Sequence, residues 1–569
     1  MVGWRVAPAV LFSLATVACG SSLRPFPMAP PTWQDDDARP FATTPDEYYS
    51  SFLWDGADQM VFRPVSRFFA VASPDEAMNV NSVDEVPDSS WFVNRAGVRA
   101  LTPDEVRRGP CRAADRLDPA GPWTATGAKP NGANPGFPIK DQKDRAFLLK
   151  FDGTVQGIRP TAADTIVSKL YYAVGFNPPC NQIVQFDRAV VRIAPDAKSE
   201  TPTGEKVPMT DEDLDKIFDK AIRLEDGRYR GSGSLYLTGR PLGPFRYEGT
   251  RSDDPNDVIP HEERRELRGH RLLAAWTGHY DSREQNTLDM FVSTGDDRGF
   301  IRHHIIDFGD CFGSIWEPPM MGRRIQHSSY FDGPEIFVDW ITLGLMKRPW
   351  DDNRFGPTGA TFGYYKVDNF DPEEWEPGYP NPAMLRMTER DGAWMARILA
   401  RLDPPLIRAA IDAGRTGSAR LDRELFRLLM GRRQRVLARY LTRLSALTRP
   451  RVDGRELCLE DLVLRSGLLP AEARRYTARA WTSSDPAEGE LTSASPGAVA
   501  RKGETPDVCL PLPQQAEASP ERPGYLIVDV IAAGGSAARV PARVHLYDRG
   551  EAEGFMVVGL ERPADRDRP

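Results

Sequence analysis

The chain has 569 residues, of which 40% are hydrophobic and 27% are charged, so its composition excludes general disorder and allows a sizeable core. Its formal charge of −8 excludes the overall basic character that is typical of nucleic-acid-binding proteins. Lysine is scarce, since only 12 of the 73 basic residues are Lys. A lysine at a chemically meaningful position therefore attracts attention. Glycine (47) and proline (50) are frequent, so we expect many loops.

The amino terminus has the form of an export signal. Arg5 precedes a mostly apolar run, residues 6–17, which is too short to span a bilayer. Ala18 then stands directly before Cys19. This order resembles a bacterial lipoprotein signal, which implies cleavage after Ala18 and lipidation of Cys19. The alternative is an ordinary secretory peptide with an incidental cysteine. The resemblance implies an exported protein with a lipid anchor in the cell envelope, and the lack of Asp after Cys19 implies the outer membrane.

Six cysteines occur in the chain, and lipidation of Cys19 would leave an odd number for pairing. An exported location permits disulfides. Cys458 and Cys509 share the last segment of the chain and are the first candidates for a bridge. No cysteine or histidine spacing typical of a zinc site appears.

Composition divides the amino-terminal part of the chain. We assign residues 1–18 to the signal peptide, 19–44 to the lipidated Cys and a Pro-rich tether, and 45–118 to an aromatic-rich extension that contains a short strand at 91–93. A Gly-, Pro- and Asn-rich stretch, 119–136, follows. Beyond it the pattern predicts a strand at 146–151, a helix at 162–174 and two paired strands at 181–186 and 189–193.

The remaining elements follow in order. Apolar spacing predicts helices over 211–224 and 262–277, then a hairpin of strands 288–292 and 300–306, and helices again from 393 to 447. The segment 448–569 begins with a helical pattern and ends in strands at 525–531, 540–546 and 555–558. We therefore expect a small β-rich carboxy-terminal domain.

Chemically important residues cluster around the predicted hairpin. His279, Asp281 and Asn286 have the spacing H-x-D-x₄-N, and an Asp-Phe-Gly sequence begins at Asp307, 26 residues after Asp281. Phosphoryl transfer needs a carboxylate that accepts the proton of the attacking hydroxyl, and hard oxygen ligands for Mg²⁺. Asp281 offers the first, and Asn286 and Asp307 offer the second. The hairpin would bring its two ends together. The alternative is a turn with an Asp cap followed by an edge strand.

This pattern resembles the catalytic and metal-binding loops of the protein-kinase-like superfamily, especially atypical members such as HipA-type and secreted or spore-coat kinases. The likeness covers roughly residues 120–445. It implies an α+β, two-lobed kinase-like fold with lobes at 119–195 and 196–447, followed by the accessory domain at 448–569. It also implies ATP and Mg²⁺ as cofactors, Asp281 and His279 as catalytic-loop residues, and Asn286 and Asp307 as metal ligands.

Upstream residues fit the same resemblance. Lys150 lies on a predicted strand, where the family places a lysine that contacts phosphates. Asp164 on the next helix stands where a Glu usually holds that lysine. Gly132 and Gly136 belong to a stretch whose backbone could cover phosphates, although it lacks the G-x-G-x-x-G pattern. The alternatives are a solvated strand end for Lys150, a helix N-terminal charge for Asp164, and a plain surface loop for the glycines.

The resemblance implies transfer of the ATP γ-phosphoryl group to a hydroxyl of an unknown protein or small-molecule substrate. The expected partners are that substrate and the membrane, reached through the lipid anchor, with no nucleic acid. Two alternatives belong to other classes, namely a kinase-like binding module without turnover and a structural envelope lipoprotein. Asp281, Asn286 and Asp307 together favour the enzyme, because a non-catalytic site need not retain all three.

Overall fold

The computed structural model describes residues 25–42, 44–68, 75–128, 134–200, 205–313, 319–348, 350–483, 490–534 and 539–563. Within these residues it contains helices and four β-sheets, which confirms the expected mixed α and β content. No helix in the described part of the chain is long and apolar enough to cross a membrane. The expected signal peptide and Cys19 lie outside the described residues.

Three short helices precede a seven-stranded sheet. The helices are α1 (Phe52–Ala57), α2 (Arg63–Phe68) and α3 (Pro103–Arg108). The strands are β1 (Trp123–Gly127), β2 (Gly136–Lys140), β3 (Ala146–Phe151), β4 (Asn181–Phe186), β5 (Val191–Glu200), β6 (Lys206–Pro208) and β7 (Tyr229–Leu235). Their order in the sheet is β4-β7-β3-β2-β1-β5-β6, which places β3 near the middle. The sheet therefore runs past residue 195, the expected end of the first lobe, to Leu235.

Two helices belong to the same part of the chain, α4 (Arg159–Val174) and α5 (Asp211–Asp219). Helix α4 begins three residues before the predicted start, and Pro160 occupies its first turn, where a missing N–H costs nothing. It ends at Gly175, whose φ of 146° L side chains rarely adopt. Nearly every side chain of α4 is buried, so this helix is packed on all sides.

A second sheet has three strands, and the H-x-D-x₄-N pattern ends directly before one of them. Its strands, β8 (Arg240–Gly243), β9 (Thr287–Gly295) and β10 (Arg298–Ile305), have the order β10-β9-β8. Helix α6 (Arg265–Thr277) ends at Gly278 in the left-handed conformation, with φ 69°. Strands β9 and β10 form the predicted hairpin, and the N–H of Ile306 donates to the carbonyl of Asn286 (2.9 Å). The two ends of the hairpin therefore meet.

Helices dominate the region after the hairpin: α7 (Pro319–Arg324), α8 (Gly333–Ile341), α9 (Pro382–Leu385), α10 (Glu389–Leu399), α11 (Pro404–Ala413) and α12 (Ala419–Tyr440). The largest hydrophobic core joins α4, α6, α10, α11 and α12, with Trp276 and Trp394 fully buried in it. A separate core packs against the seven-stranded sheet, with Phe147, Leu149 and Phe151 of β3 at its centre. Residues of β3 and α6 are thus each held by a rigid core.

The carboxy-terminal part contains two further sheets. Its elements are β11 (Leu447–Asp453), β12 (Glu456–Asp461), α13 (Leu462–Arg465), β13 (Arg475–Ser483), β14 (Thr492–Ala494), β15 (Ala500–Arg501), β16 (Asp507–Pro511), β17 (Gly524–Ala533), β18 (Pro541–Asp548), α14 (Gly550–Glu553) and β19 (Phe555–Glu561). The sheet orders are β11-β12-β16-β15 and β14-β13-β17-β18-β19. One hydrophobic core unites both sheets.

Several local expectations are corrected by the structure. Strands β4 and β5 do not pair with each other, because β4 pairs with β7 and β5 with β1. Residues 91–93 form no strand; Trp91 and Phe92 are buried, and Trp91 stacks on His303 at 3.4 Å between ring centroids. Apolar residues in that segment therefore reflect burial in a core rather than a ladder.

Two helical expectations also differ. The helix expected at 211–224 ends at Asp219, and the segment after residue 448 begins with strands β11 and β12 rather than a helix. In β12 the burial runs almost continuously from Leu457 to Asp461. Its apolar part, Leu457 to Leu459, is too short to show a period, so it does not distinguish a buried strand from a buried helix.

Candidate active site

Lys150 lies at the centre of the site, near the end of β3. Its Nζ is 2.7 Å from Oδ1 of Asp307 and 3.7 Å from Oδ1 of Asp164. Its side chain is only 10% exposed. Burial alone would lower the pKa of Lys150, but the carboxylates of Asp164 and Asp307 outweigh it and raise the pKa above its ordinary value. Lys150 is therefore a fixed cation rather than a solvated strand end.

Asp164 joins three parts of the chain. It is the sixth residue of α4 and is 1% exposed, so it is not a solvated charge at the helix start. Its Oδ2 accepts a hydrogen bond from Ser232 Oγ on β7 (3.1 Å), and its Oδ1 accepts one from the N–H of Phe308 (3.2 Å). The same carboxylate that faces Lys150 thus holds the segment that carries Asp307.

The loop after α6 is supported by His279, which is fully buried. Its Nδ1 lies 2.9 Å from the hydroxyl of Tyr171 on α4, and its ring packs against Phe308 at 5.4 Å between centroids. Burial lowers the pKa of His279 to about 4, so its imidazole is neutral at physiological pH. These contacts indicate that His279 supports the loop from its buried side.

Asp281 and Asn286 are hydrogen-bonded to each other across that loop. Asn286 Nδ2 donates to the carbonyl oxygen of Asp281 (2.6 Å) and to its Oδ2 (3.0 Å). The Arg283 Nε lies 3.1 Å from Oδ1 of Asp281. Burial raises the pKa of Asp281 to about 7, and the carboxylates of Asp310 and Asp307 act in the same direction. Because the side-chain nitrogen of Asn286 is used on Asp281, its oxygen is the atom that can coordinate a cation.

Asp307 follows β10 in a left-handed backbone conformation, with φ 58°. Aspartate adopts this region more readily than most residues, and such backbone conformations concentrate at functional sites. Its side chain is 46% exposed, and the carboxylate reaches Lys150. Phe308 beside it is fully buried and packs against the Tyr171 ring at 4.8 Å between centroids. Asp307 is therefore presented at the surface of a firmly anchored segment.

Two residues of this site escape the sequence patterns, Asp310 and Arg159. Asp310 Oδ2 accepts a hydrogen bond from the N–H of Asp281 (2.8 Å). Burial raises the pKa of Asp310 to about 7. Arg159 is fully buried, and its Nη1 donates to the carbonyls of Gly309 (2.9 Å) and Cys311 (2.6 Å). A further aspartate directly after the Asp-Phe-Gly sequence is a signal for Asp310, whereas no local pattern marks Arg159.

The glycine-rich stretch lies beside the same segment. It contains β1, and its last residue, Gly136, begins β2 and pairs with Lys150 in the sheet. A Cβ at Gly136 would lie 2.2 Å from the Leu149 carbonyl oxygen, so the close pairing of β2 and β3 requires glycine there. A Cβ at Gly309 would lie 3.4 Å from Asn134 Nδ2. The stretch therefore reaches the Asp307 segment; Gly132 lies outside the described residues.

The cysteines form two bridges in the described residues. Cys458 and Cys509, the pair expected from the sequence, are directly opposite each other on β12 and β16 and form a disulfide. Cys111 and Cys180 form a second bridge, 69 residues apart, which no sequence pattern identified. Cys311 is buried and not disulfide-bonded.

The donor set fits a divalent cation. The carboxylates of Asp307 and Asp310 raise the pKa of Asp281, and that of Asp307 also raises the pKa of Asp310, so these groups repel one another. A bound dication would relieve that repulsion. Carboxylate and amide oxygens are the ligands that Mg²⁺ prefers, and Asp307 with Asn286 supplies both kinds.

Comparisons with known proteins are limited. No protein-family model matches the sequence. No curated protein matches it either. Among solved structures, the Golgi casein kinase with Mn/ADP bound has 12% sequence identity and a TM-score of 0.22, over 52% of this chain and 73% of that one. A second structure of the Golgi casein kinase has 12% identity and a TM-score of 0.23, over 57% and 75%. TM-scores of this size do not establish a shared fold.

Proposed function

We propose that this chain is a kinase-like phosphotransferase that moves the γ-phosphoryl group of ATP to a hydroxyl of a protein or small-molecule substrate. The observation that carries the proposal is the convergence of strand β3, the loop after α6 and the segment after β10. Lys150 on β3 pairs with Asp307 after β10, and Asp281 in the loop after α6 is hydrogen-bonded to Asn286. Asp310 connects them through the backbone N–H of Asp281.

The proposed roles follow from charge and position. Asp281 is hydrogen-bonded to Asn286, and its carboxylate lies beside Arg283 rather than beside a lysine. Its side chain is partly exposed. It would accept the proton of the acceptor hydroxyl as that oxygen bonds to the γ-phosphorus and the bond to the β-phosphate oxygen breaks. A base whose pKa lies near 7 is suited to this task at neutral pH.

Lys150 would bind phosphate oxygens. Its ammonium is already held between two carboxylates, so binding requires no reorganisation of the lysine. Asn286 Oδ1 and the Asp307 carboxylate would hold Mg²⁺, which neutralises charge on the phosphates when bound. Asn134 lies beside Gly309 of the Asp307 segment, and backbone N–H groups of the glycine-rich stretch would cover the phosphates.

The proposal includes an arrangement of domains. The seven-stranded sheet with α4 would form one lobe, the region from β8 to α12 the other, and the two carboxy-terminal sheets an accessory domain. The seven-stranded sheet and the two carboxy-terminal sheets each have a hydrophobic core of their own, which supports that division, and α4 would join the two lobes because it packs in the largest core with α6, α10, α11 and α12. We also propose lipidation at Cys19 and an outer-membrane location, and mass analysis of the mature amino terminus tests the lipid.

The first test is thermal unfolding of the full chain with Mg-ATP. A ligand that binds only the folded state stabilises it by about 2.7 kcal/mol at 100 times its dissociation constant. We expect the melting temperature to rise with Mg-ATP, and to rise less with ATP in the presence of a chelator. No shift with any nucleotide would contradict nucleotide binding.

The second test separates an enzyme from a binding module. We expect ADP formation and autophosphorylation to fall by about 1000-fold in Asp281→Asn, since a positioned base contributes 10²–10⁴-fold, while the Mg-ATP shift remains. Asp254→Asn is the control, because Asp254 is a buried aspartate outside the site whose carboxylate accepts the N–H of Asn256 at 2.9 Å. Equal turnover in both variants would contradict the role of Asp281.

A further inference from the structure

Asp310 occupies an unusual place between the two halves of the site. It belongs to the segment of Asp307, three residues further on, yet its Oδ2 accepts the N–H of Asp281 at 2.8 Å. Its Oδ1 lies 3.6 Å from Nε2 of His279, and its side chain is only 12% exposed. One carboxylate thus faces two residues of the loop that carries the proposed base.

The backbone on either side of Asp310 is itself fixed. Arg159 Nη1 donates to the carbonyls of Gly309 and Cys311, so one buried guanidinium holds both neighbours. The N–H of Phe312 donates to the carbonyl of Thr277 at the end of α6 (3.1 Å). The backbone around Asp310 is therefore held by hydrogen bonds with both α4 and α6.

The hydrogen bond from the Asp281 N–H to Asp310 holds the peptide of the proposed base. The chain between Gly278 and Asn286 contains no regular element before the short turn at 284–286, so the α6 ladder does not orient the Asp281 peptide. The direction of the Asp281 side chain depends on that peptide. Its N–H is directed to Asp310, and its carboxylate is then steadied by Asn286 and Arg283.

We propose that Asp310 is a positioning residue for phosphotransfer: it sets the place of the Asp281 carboxylate relative to the phosphate- and metal-binding groups at Lys150 and Asp307. This inference rests on the proposed function. Asp310 acts through the backbone of Asp281 and touches neither substrate nor phosphate. Its hydrogen bond needs an oxygen acceptor but no negative charge, so Asn can replace it and Ala cannot.

The test compares Asp310→Ala, Asp310→Asn and the matched control Asp254→Ala in the full chain. Steady-state ADP formation gives kcat and KM for Mg-ATP. A displacement of about 1 Å in a reacting group costs about 100-fold, so we expect Asp310→Ala to lower kcat by about 100-fold. Its KM for ATP should stay within about threefold, because Lys150, Asn286 and Asp307 are unchanged. Asp310→Asn should recover kcat to within about fivefold of the unaltered chain.

Asp254→Ala removes a buried carboxylate that also accepts a backbone N–H, from Asn256 at 2.9 Å. It should keep kcat, and the melting temperatures of both Ala variants then separate loss of stability from loss of positioning. Wild-type kcat in Asp310→Ala would overturn the inference, and so would Asp310→Asn being as slow as Asp310→Ala. Failure of the unaltered chain to turn over ATP would instead overturn the proposed function and this inference with it.

Discussion

Two lysines are buried in the described part of the chain, Lys150 on β3 and Lys169 on α4, and their pKa values are shifted in opposite directions. Lys150 Nζ faces the carboxylates of Asp307 and Asp164. Lys169 Nζ instead donates to the carbonyl of Asn181 (2.7 Å) and lies 3.1 Å from the Cys111 sulfur. The two amines have similar burial and different partners.

The pKa values follow the partners. Burial lowers the pKa of Lys169 from 10.5 to about 7, with only a partial offset from Asp164. The pKa of Lys150 is raised because two carboxylates overcome the same burial. A buried lysine therefore keeps its charge only where carboxylates meet it. Lys150 is suited to bind an anion at all physiological pH values, whereas Lys169 changes its charge near neutrality.

The largest expected effect is the loss of turnover in Lys150→Met. Removal of one positioned electrostatic donor costs about 100-fold or more in kcat, so ADP formation should fall by at least that factor. Lys169→Met should stay within about threefold, because that amine faces a carbonyl and a disulfide sulfur. A similar loss of ADP formation in both variants would show that removal of any buried lysine lowers turnover, and that the carboxylate partners of Lys150 do not explain its effect.

A smaller effect is expected for Asp164→Asn, which alters the surroundings of both lysines. Lys150 would keep Asp307 but lose the second carboxylate that positions its ammonium, and a contact to a charged group contributes about 1.5 kcal/mol, close to tenfold. We expect kcat/KM for Mg-ATP to fall about tenfold, with Asp254→Asn unchanged. Full activity in Asp164→Asn would mean that Asp307 alone holds Lys150.

Lys169 predicts a pH-dependent stability. Its folded-state pKa of about 7 lies below the unfolded value of 10.5. Between these values the unfolded chain binds one more proton at this position, so stability rises with pH. The free energy of unfolding of the unaltered chain, relative to Lys169→Met, should grow by about 1.4 kcal/mol per pH unit over this range.

Urea unfolding of both proteins at pH 7, 8 and 9 measures that difference. Lys140→Met, at a side chain 49% exposed, is the control and should give a pH-independent difference. If the difference in the free energy of unfolding between the unaltered chain and Lys169→Met does not change with pH, Lys169 has the same proton affinity in the folded and unfolded states.

The smallest expected effect concerns the bridge beside Lys169. After mild reduction of the Cys111–Cys180 disulfide, a cationic Lys169 would stabilise the Cys111 thiolate. Peptide mass spectrometry should show Cys111 alkylated a few-fold faster in the unaltered chain than in Lys169→Met at pH 7. Cys509, once reduction also frees it from its bridge to Cys458, is the internal control, because its rate should not depend on Lys169. Equal Cys111 rates would mean that the amine does not reach the reduced sulfur.

The sequence was most informative where spacing is local. The hairpin β9–β10, helix α6 and strand β3 could be predicted, because hydrophobic period and turn residues are read within a few positions. Asp281, Asn286 and Asp307 could be proposed together, since a hairpin joins the segments that carry them. The scarcity of lysine drew attention to Lys150.

Partners distant in the chain could not be predicted in this way. The pairing of β4 with β7, the bridge from Cys111 to Cys180 and the contact of Arg159 with the Gly309 carbonyl all join segments that are at least 40 residues apart. Periodicity states which face of an element is buried, and it does not state against which neighbour. Asp310 directly follows the Asp-Phe-Gly sequence, but only the tertiary structure shows that its carboxylate accepts the Asp281 N–H.

The sequence by itself determined the composition of the site: a lysine on a strand, an H-x-D-x₄-N loop after a helix, and an Asp-Phe-Gly sequence after a hairpin. Only the tertiary structure decided the charge of its groups. It placed Asp164 and Asp307 against Lys150, a carbonyl against Lys169, and Asp310 against Asp281. A pKa depends on burial and on charges within a few ångströms, and those neighbours come from segments that the sequence keeps far apart.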